Sequence, residues 1–306
     1  MTATSRRRFL IQSSRLGAAA LAPAWGWRRA FANPLGKPIG IQLYTVNAPM
    51  QEDPTGTLKK LRDIGFREVE SAGFGKLSAQ QFRRRLDDAG LACPSAHLQF
   101  DVNNLGPTFE DAHALGAVYA ASGSLPAPAA DIKPAAASSK RSMSLDEAKQ
   151  TAALLNRIGE AAKRAGLQYV YHNHDFEFAD QGGGAVGYDV LLRESDPELV
   201  KFEIDCGWMI FAGHDPIDYF KKFPNRFPMI HVKDFLPPHD KSAMAGNAAQ
   251  MQGAELGHGV IDYKPIFAAA GKAGLQHYFL EQEGPFSRMD QMHAARVDYE
   301  YLHSMD

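Results

Sequence analysis

Four segments in the second half of the chain share one pattern, in which an apolar run of strand length ends in ionisable residues. Their sequences are YVYHNHDFEF (169–178), FEIDCGW (202–208), MIHVKDF (229–235) and YFLEQEG (278–284). A buried strand with polar residues at its carboxyl end is typical of parallel α/β folds, which bind their ligands at that edge. The pattern therefore predicts a parallel sheet with a polar site at one end.

The rest of the chain alternates strand-like and helix-like segments, which predicts βα units. Helix starts are marked by Asp53 before Pro54, and by capping-box spacings at Ser78 with Gln81 and Ser144 with Glu147. Eight such units in about 250 residues predict a single (β/α)8 barrel. A doubly wound open sheet is the alternative, but no glycine-rich phosphate turn follows the first strand. The expected strands are residues 39–46, 66–72, 91–99, 117–122, the HNHD segment, 200–207, 228–233 and 277–283.

Composition excludes several classes of protein. The 306 residues are 45% hydrophobic and 22% charged, with a net charge of −2, so a nucleic-acid partner is not expected. The sequence contains no apolar run of about 18 residues or more, so we expect no membrane span. The two cysteines, Cys93 and Cys206, are predicted to be free structural thiols.

The first 32 residues have the features of an export signal. Residues 5–10 (SRRRFL) resemble a twin-arginine motif, an Ala-rich stretch follows, and Ala30-Phe31-Ala32 resembles a signal-peptidase site. These elements predict a periplasmic protein whose barrel domain covers residues 33–306. A disordered basic N-terminus is the alternative.

Strand periodicity predicts which polar side chains point into the barrel. Side chains alternate faces along a strand, so residues two apart share a face, and in a barrel the inward set converges at one mouth. Each residue alone has a structural explanation, but burying so many charges together favours a shared cation. The inward set is Glu70, His97, His172, His174, Asp205, His231, Lys233, Glu281 and Glu283.

The motifs also resemble those of the xylose-isomerase-like superfamily, which includes sugar isomerases, epimerases and inosose dehydratase. They are GIQLYTV, SAHL, YHNHDFEF, IDCGW, HVKDF, LGHGVIDY and FLEQEG, in that order. The resemblance implies one divalent metal held by residues of strands five to eight. The matching positions are His172, Asp205, His231 and Glu281.

One position departs from that family pattern. Many epimerases of the superfamily have Glu where this chain has His172, and that Glu also serves in acid/base catalysis. The departure puts the two-glutamate mechanism in doubt. The HNHDFEF and EQE motifs instead resemble a subgroup that acts on 3-keto-glycosides or keto-inositols.

A metal site of this kind suits proton abstraction next to a carbonyl through a metal-stabilised enediolate. The acid and base candidates are His174, Glu283 and Glu70. Lys233 and His97 are expected to orient substrate hydroxyls, and the aromatic residues Tyr44 and Trp208 could stack on a sugar ring. The metal is expected to be Mn, Co, Zn, Fe or Mg.

Three functions remain open on the sequence. The first is a metal-dependent isomerase or epimerase, the second a metal-dependent lyase or hydratase, and the third a non-catalytic periplasmic sugar-binding protein. Chelation would abolish the first two activities but not binding by the third. Export, and the lack of a phosphate-binding glycine loop, favour a non-phosphorylated sugar or keto-sugar as the small-molecule substrate.

Overall fold

The computed structural model describes residues 35–126, 142–237 and 252–305. Eight parallel strands close into a barrel, in the order β1-β10-β7-β6-β5-β4-β3-β2, which confirms the (β/α)8 prediction over the open sheet. Two further strands, β8 and β9, form an antiparallel hairpin outside the barrel. The strands are β1 Gly40–Gln42, β2 Glu68–Ala72, β3 Ala92–His97, β4 Tyr119–Ser122, β5 Gln168–His172, β6 Val200–Asp205, β7 Met229–Val232, β8 Asp234–Phe235, β9 Gly253–Ala254 and β10 His277–Leu280.

Helices follow the barrel strands, and their predicted caps form. The Asp53 carboxylate accepts the Gly56 N–H at the start of α2. Capping boxes at Ser78 and Ser144 start α3 and α5. The helices are α1 Asn47–Glu52, α2 Pro54–Ile64, α3 Ala79–Ala89, α4 Gly106–Leu115, α5 Leu145–Arg164, α6 Gly187–Glu194, α7 Cys206–Phe211, α8 Pro216–Lys222, α9 Tyr263–Lys272 and α10 Gln291–Ser304.

Several strands are shorter than predicted at their carboxyl ends. The first strand stops at Gln42 rather than Val46, because the Gln42 side chain accepts the Tyr44 N–H and a 3-10 turn begins. Strand six stops at Asp205, whose Oδ1 accepts the Trp208 N–H and caps α7. These early ends place Tyr44 and Trp208 in the structures that follow the strands.

The barrel contains two apolar layers. An outer core packs strand residues such as Tyr169 and Phe202 against the helices. A small inner core fills the amino-terminal half of the barrel. Its members are Ala121, Val170, Met229 and Phe279. Polar residues next along the strands, such as His172 and His231, lie above this inner core.

Cys93 and Cys206 are buried and free, as predicted. The proposed signal, residues 1–32, lies outside the described residues, as does most of the predicted loop at 122–143. Across the described ranges, every helix is too short or too polar to cross a membrane.

Candidate metal centre and active site

Four of the predicted residues converge at the carboxyl ends of neighbouring strands. Each of them offers one ligand atom, and these four atoms all lie within 4.8 Å of one another. Strand register explains the meeting, because Asp205 is paired with His231 across β6 and β7. Glu281 directly follows β10, the other neighbour of β7. The four residues are His172, Asp205, His231 and Glu281.

Short distances join the two imidazoles to the two carboxylates. His231 Nδ1 lies 3.0 Å from Glu281 Oε2 and 3.9 Å from Asp205 Oδ2. His172 Nε2 lies 3.8 Å from Asp205 Oδ2. All four side chains are buried. We refer to these four residues as the tetrad.

Lys233 follows β7, and its ammonium lies against the carboxylates of the tetrad. Its Nζ is 2.7 Å from Asp205 Oδ2 and 2.9 Å from Glu281 Oε2, and it also contacts Glu283. The Trp208 ring centre is 5.0 Å from the same ammonium, and its indole N–H donates to Glu283 Oε1 at 3.1 Å. Trp208 is itself buried, so it reaches the site through Glu283.

A second polar layer lies beneath the tetrad and includes a residue that the sequence analysis missed. Glu203 Oε2 lies 2.9 Å from His97 Nε2, 3.2 Å from His172 Nδ1 and 3.2 Å from His231 Nε2. Glu203 is two residues before Asp205 on the same strand, so the periodicity that selected Asp205 also pointed to it. The predicted catalytic Glu70 belongs to this layer too, with Oε2 at 2.7 Å from His231 Nε2.

The sequence predicted that His174 lies on the fifth strand. In the structure β5 ends at His172, and His174 lies beyond it. Its ring is still beside that of His172, with centroids 5.1 Å apart. The backbone N–H of His174 donates to Glu177 Oε2 at 3.0 Å, and Tyr171 Oη donates to Glu177 Oε1 at 2.7 Å. Glu177, which was not predicted, therefore fixes the turn that carries His174.

A cavity of about 230 Å³ opens above the tetrad. Tyr44, which is 49% exposed, stands at its rim. Trp208, predicted to contact substrate, is not one of the described residues that line it. The lining residues are Gln42, Tyr44, Ala72, His97, Gly123, His172, His174, Glu281 and Glu283.

The electrostatics leave the imidazoles of His172 and His174 neutral. Burial lowers the pKa of His172 to about 3, and the nearby His231 adds to the shift. Burial also lowers the pKa of His174 well below its usual value, with further contributions from His172 and Lys233. A neutral imidazole has a lone pair, so His172 can act as a ligand and His174 as a proton acceptor.

Two tetrad partners have pKa values shifted upwards. Burial raises the pKa of the Asp205 carboxyl to about 6, although Lys233 opposes the shift. Burial alone would lower the pKa of His231, but the carboxylates of Glu203 and Glu281 raise it well above its usual value. Metal ligands must be deprotonated, so a cation bound here would replace protons on these groups.

The donor set fits a divalent cation. Two imidazole nitrogens and two carboxylate oxygens suit Mn, Co, Zn or Fe, whereas nitrogen ligands disfavour Mg and Ca. Asp205 Oδ2 and Glu281 Oε2 both approach His231 Nδ1, and the same two oxygens also pair with the Lys233 ammonium. His172, Asp205, His231 and Glu281 are therefore the residues that could hold the metal.

Comparison with known proteins agrees with the fold. The chain is 31% identical to the inosose dehydratase of Geobacillus thermodenitrificans over 135 residues, or 41% of this chain and 43% of the relative. Its identity to the inosose dehydratase of Clostridium tetani is 33% over 131 residues, or 40% and 42% of the two chains. The matching segments thus span less than half the length of these relatives.

A solved structure extends the likeness to nearly the whole fold. A sugar phosphate isomerase/epimerase from Parabacteroides distasonis superposes with a TM-score of 0.69 at 25% identity, covering 88% of this chain and 98% of that one. A sequence profile of the family described as the xylose isomerase-like TIM barrel matches residues 58–302. This chain therefore belongs to the xylose isomerase-like TIM barrel family.

Proposed function

We propose that the protein is a divalent-metal-dependent sugar isomerase or epimerase, which moves a proton next to the carbonyl of a non-phosphorylated sugar or keto-sugar. The observation that carries the proposal is the tetrad, two of whose members, His172 and Glu281, line a cavity that His174 and Glu283 also line. Metal ligands and acid/base groups thus face one space of a size suited to a small molecule.

A divalent cation in the tetrad would supply Lewis acidity to the substrate's carbonyl oxygen. His174 is neutral and faces the cavity, so it takes the proton from the carbon next to the carbonyl. Glu283 accepts and returns the proton of the substrate hydroxyl next to the carbonyl. Its carboxylate is held in place by the Lys233 ammonium and the Trp208 indole N–H. Return of the proton to the neighbouring carbon gives an isomer, whereas protonation of the original carbon from its opposite face by a second acid gives an epimer.

The remaining predicted residues have different positions relative to the cavity. His97 lines it and can orient a hydroxyl, and Tyr44 can cover a sugar ring at the rim. Trp208 acts through Glu283 rather than on the substrate. Glu70 is fully buried behind His231, so we assign it a positioning role instead of the expected catalytic one.

A lyase or dehydratase is the second candidate, and the likeness to two inosose dehydratases favours it. The same proton abstraction would then be followed by loss of a group from the neighbouring carbon. His174 would again accept the proton. The proton that His174 has taken would then pass to the departing oxygen, which leaves as water or as an alcohol.

The loop after β7 supports a substrate without phosphate. TIM barrels often bind phosphate with backbone N–H groups of the loops after strands seven and eight. Here the N–H groups of 257 and 259–261 donate instead to the buried Asp234 carboxylate, at 2.9 to 3.3 Å. The segment after β10 brings Glu281 and Glu283 to the cavity, which would repel a phosphate.

Metal analysis tests the proposal. We expect about one divalent cation per chain in the pure protein, and far less in Asp205→Ala and His231→Ala, since each variant removes one ligand. Asp218→Ala is the control, because that carboxylate is exposed and pairs only with Lys221 among the described residues. Equal metal content in the wild type and the two ligand variants would refute the proposal, as would activity that survives complete chelation.

Reaction in D2O separates the two candidate reactions. An isomerase or epimerase conserves the mass of its substrate and incorporates deuterium at the carbon that accepts the proton. A lyase releases water or an aglycone. Binding without turnover in the metal-loaded protein would support the non-catalytic alternative.

We also propose that the protein is exported to the periplasm by the twin-arginine route, on the strength of residues 5–10 and 30–32. Replacement of Arg6 and Arg7 by Lys should retain the protein in the cytoplasm. Unchanged periplasmic protein on cell fractionation would contradict the assignment.

A further inference from the structure

Glu203 and Glu70 make contacts that the proposed reaction does not use. Both are fully buried beneath the tetrad, and neither lines the cavity. Glu203 Oε2 contacts three imidazoles. A buried carboxylate is costly unless its partners offset the loss of water, so this arrangement calls for an explanation.

The two histidines of the tetrad each face these carboxylates with one ring nitrogen. His172 presents Nδ1 to Glu203 at 3.2 Å and Nε2 towards Asp205 Oδ2. His231 presents Nε2 to Glu70 at 2.7 Å and Nδ1 towards Glu281 and Asp205. The two rings therefore use opposite nitrogens to face the site.

A carboxylate accepts hydrogen bonds and cannot donate them, so a ring nitrogen that faces one carries a hydrogen. The other nitrogen of the ring then has its lone pair free for a metal. Both nitrogens of His231 face carboxylates, and a cation bound by Glu281 and Asp205 would replace the hydrogen on Nδ1 while the hydrogen facing Glu70 stays on Nε2. We propose that Glu203 and Glu70 are positioning residues that select the Nδ1–H tautomer of His172 and the Nε2–H tautomer of His231. This inference rests on the proposed metal site and deepens it.

Neighbouring contacts hold the two carboxylates in place. His97 Nε2 lies 2.9 Å from Glu203 and 3.1 Å from Glu70, so one imidazole joins them. Glu70 Oε2 also accepts the Gln42 amide N–H at 2.7 Å, and Ser95 donates to Glu70 Oε1. The second polar layer is thus joined by hydrogen bonds to β1 and β3, and it contacts both ligand rings.

Glu203→Gln tests the inference. The amide keeps the shape of the side chain, but one of its two terminal atoms is now an NH2 group that donates hydrogen bonds. The side chain therefore cannot accept from all three rings. Loss of such a partner typically weakens metal binding about 10- to 100-fold. We therefore expect the dissociation constant for Mn²⁺, measured by competition with a chelator, to rise about 10- to 100-fold. The visible absorption of the Co²⁺-loaded variant should also change, because the geometry at the metal changes.

The matched control is Glu255→Gln, which makes the same substitution at another buried position. Glu255 is 2% exposed and its charged contact is with Arg288, away from the tetrad. It should bind Mn²⁺ like the wild type. A loss of affinity common to both variants would overturn the inference, because it would reflect a general cost of replacing a buried carboxylate.

A second measurement needs no variant and so does not depend on folding of Glu203→Gln. Nitrogen-15 NMR of histidine-labelled, Zn²⁺-loaded wild type should show a hydrogen on His172 Nδ1 and on His231 Nε2. The reverse assignments, or unchanged Mn²⁺ affinity in Glu203→Gln, would overturn the inference while leaving the metal site intact. Failure of the wild type to bind Mn²⁺ or Zn²⁺ would instead refute the proposed function.

Discussion

At the scale of single residues, the buried ammonium of Lys233 offsets the negative charges of the carboxylates around it. Lys233 has no exposed surface, and removal of an ammonium from water costs several kcal/mol. Burial alone would lower the pKa of Lys233, but the Asp205 and Glu281 carboxylates raise it well above its usual value. The aliphatic part of the Lys233 side chain packs directly against Gly207. A Cβ at position 207 would lie only 2.9 Å from the Lys233 Cβ, so a glycine is needed there. The lysine is therefore a permanent cation among acids.

Lys233→Met should destabilise the protein strongly. The substitution keeps most of the stem but leaves Asp205, Glu281 and Glu283 without their ammonium. Breaking a buried ion pair costs about 3–5 kcal/mol in free energy of unfolding. Urea denaturation in the presence of a chelator measures this loss.

The control is Lys222→Met, which removes a lysine whose side chain is 48% exposed and pairs with Asp189. Surface pairs contribute about 1 kcal/mol or less, so this variant should unfold nearly like the wild type. A loss below about 1 kcal/mol for Lys233→Met would show that its contacts with the carboxylates are not stabilising.

At the scale of elements, one carboxylate organises the segment between the β8–β9 hairpin and α9. Asp234 Oδ1 accepts the N–H groups of Phe235, Val260 and Ile261, at 2.9 to 3.1 Å. Oδ2 accepts those of Gly257 and Gly259. The segment 256–261 belongs to no helix or strand, so these backbone N–H groups have Asp234 as their acceptor instead of a neighbouring strand.

Asp234→Ala should loosen that segment selectively. Each lost hydrogen bond contributes about 1 kcal/mol, so amide exchange at 257–261 should accelerate about tenfold or more. Hydrogen-exchange mass spectrometry resolves the effect by segment. The matched control is Asp180→Ala, because Asp180 accepts the N–H groups of Gly182 and Gly184 in another loop. Exchange at 257–261 that is unchanged in Asp234→Ala would contradict this assignment.

At the scale of the whole molecule, α10 packs against residues near the start of β2 and bonds to the segment before α9. In α10, Tyr299 packs edge-on against Phe66 at the start of the second βα unit, with ring centroids 5.0 Å apart. Asp298 in the same helix is 1% exposed and accepts the Leu256 N–H at 2.6 Å. The buried carboxyl therefore joins α10 to the segment that Asp234 holds.

The stability of the protein should depend on pH through Asp298. Burial raises the pKa of its carboxyl to about 8, far above the unfolded value near 3.9. Between about pH 4 and pH 8 the folded protein thus retains a proton that the unfolded chain has lost. The free energy of unfolding should therefore fall as the pH rises through this window, and level off once the folded carboxyl ionises.

Asp298→Asn should remove this dependence, because the amide oxygen still accepts the Leu256 N–H but does not ionise. Relative to wild type, the variant should gain about 2–4 kcal/mol between pH 5 and pH 8 in urea denaturation. Asp88→Asn, at an exposed position in α3, should show no such gain. Parallel pH profiles for wild type and Asp298→Asn would mean that the buried carboxyl has an ordinary pKa.

Local patterns in the sequence determined the helix starts and the faces of the strands. The capping boxes at Ser78 and Ser144 involve residues three apart, so the sequence alone contains every group that forms them. Period-two alternation placed His231 inside the barrel for the same reason. Alternation also predicts the tetrad once the barrel closes, because each strand contributes its own end.

Only the tertiary structure decided how deep each inward residue lies and what it contacts. Glu70 meets His231 although 161 positions separate them, and that contact depends on barrel closure and strand register. Period-two alternation alone therefore grouped Glu70 with the acid/base candidates and gave no signal that separated Glu203 from them. Side chains on one face of a strand differ in height by about two residue spacings, or roughly 6.6 Å, and this height separates a metal ligand from the residue beneath it.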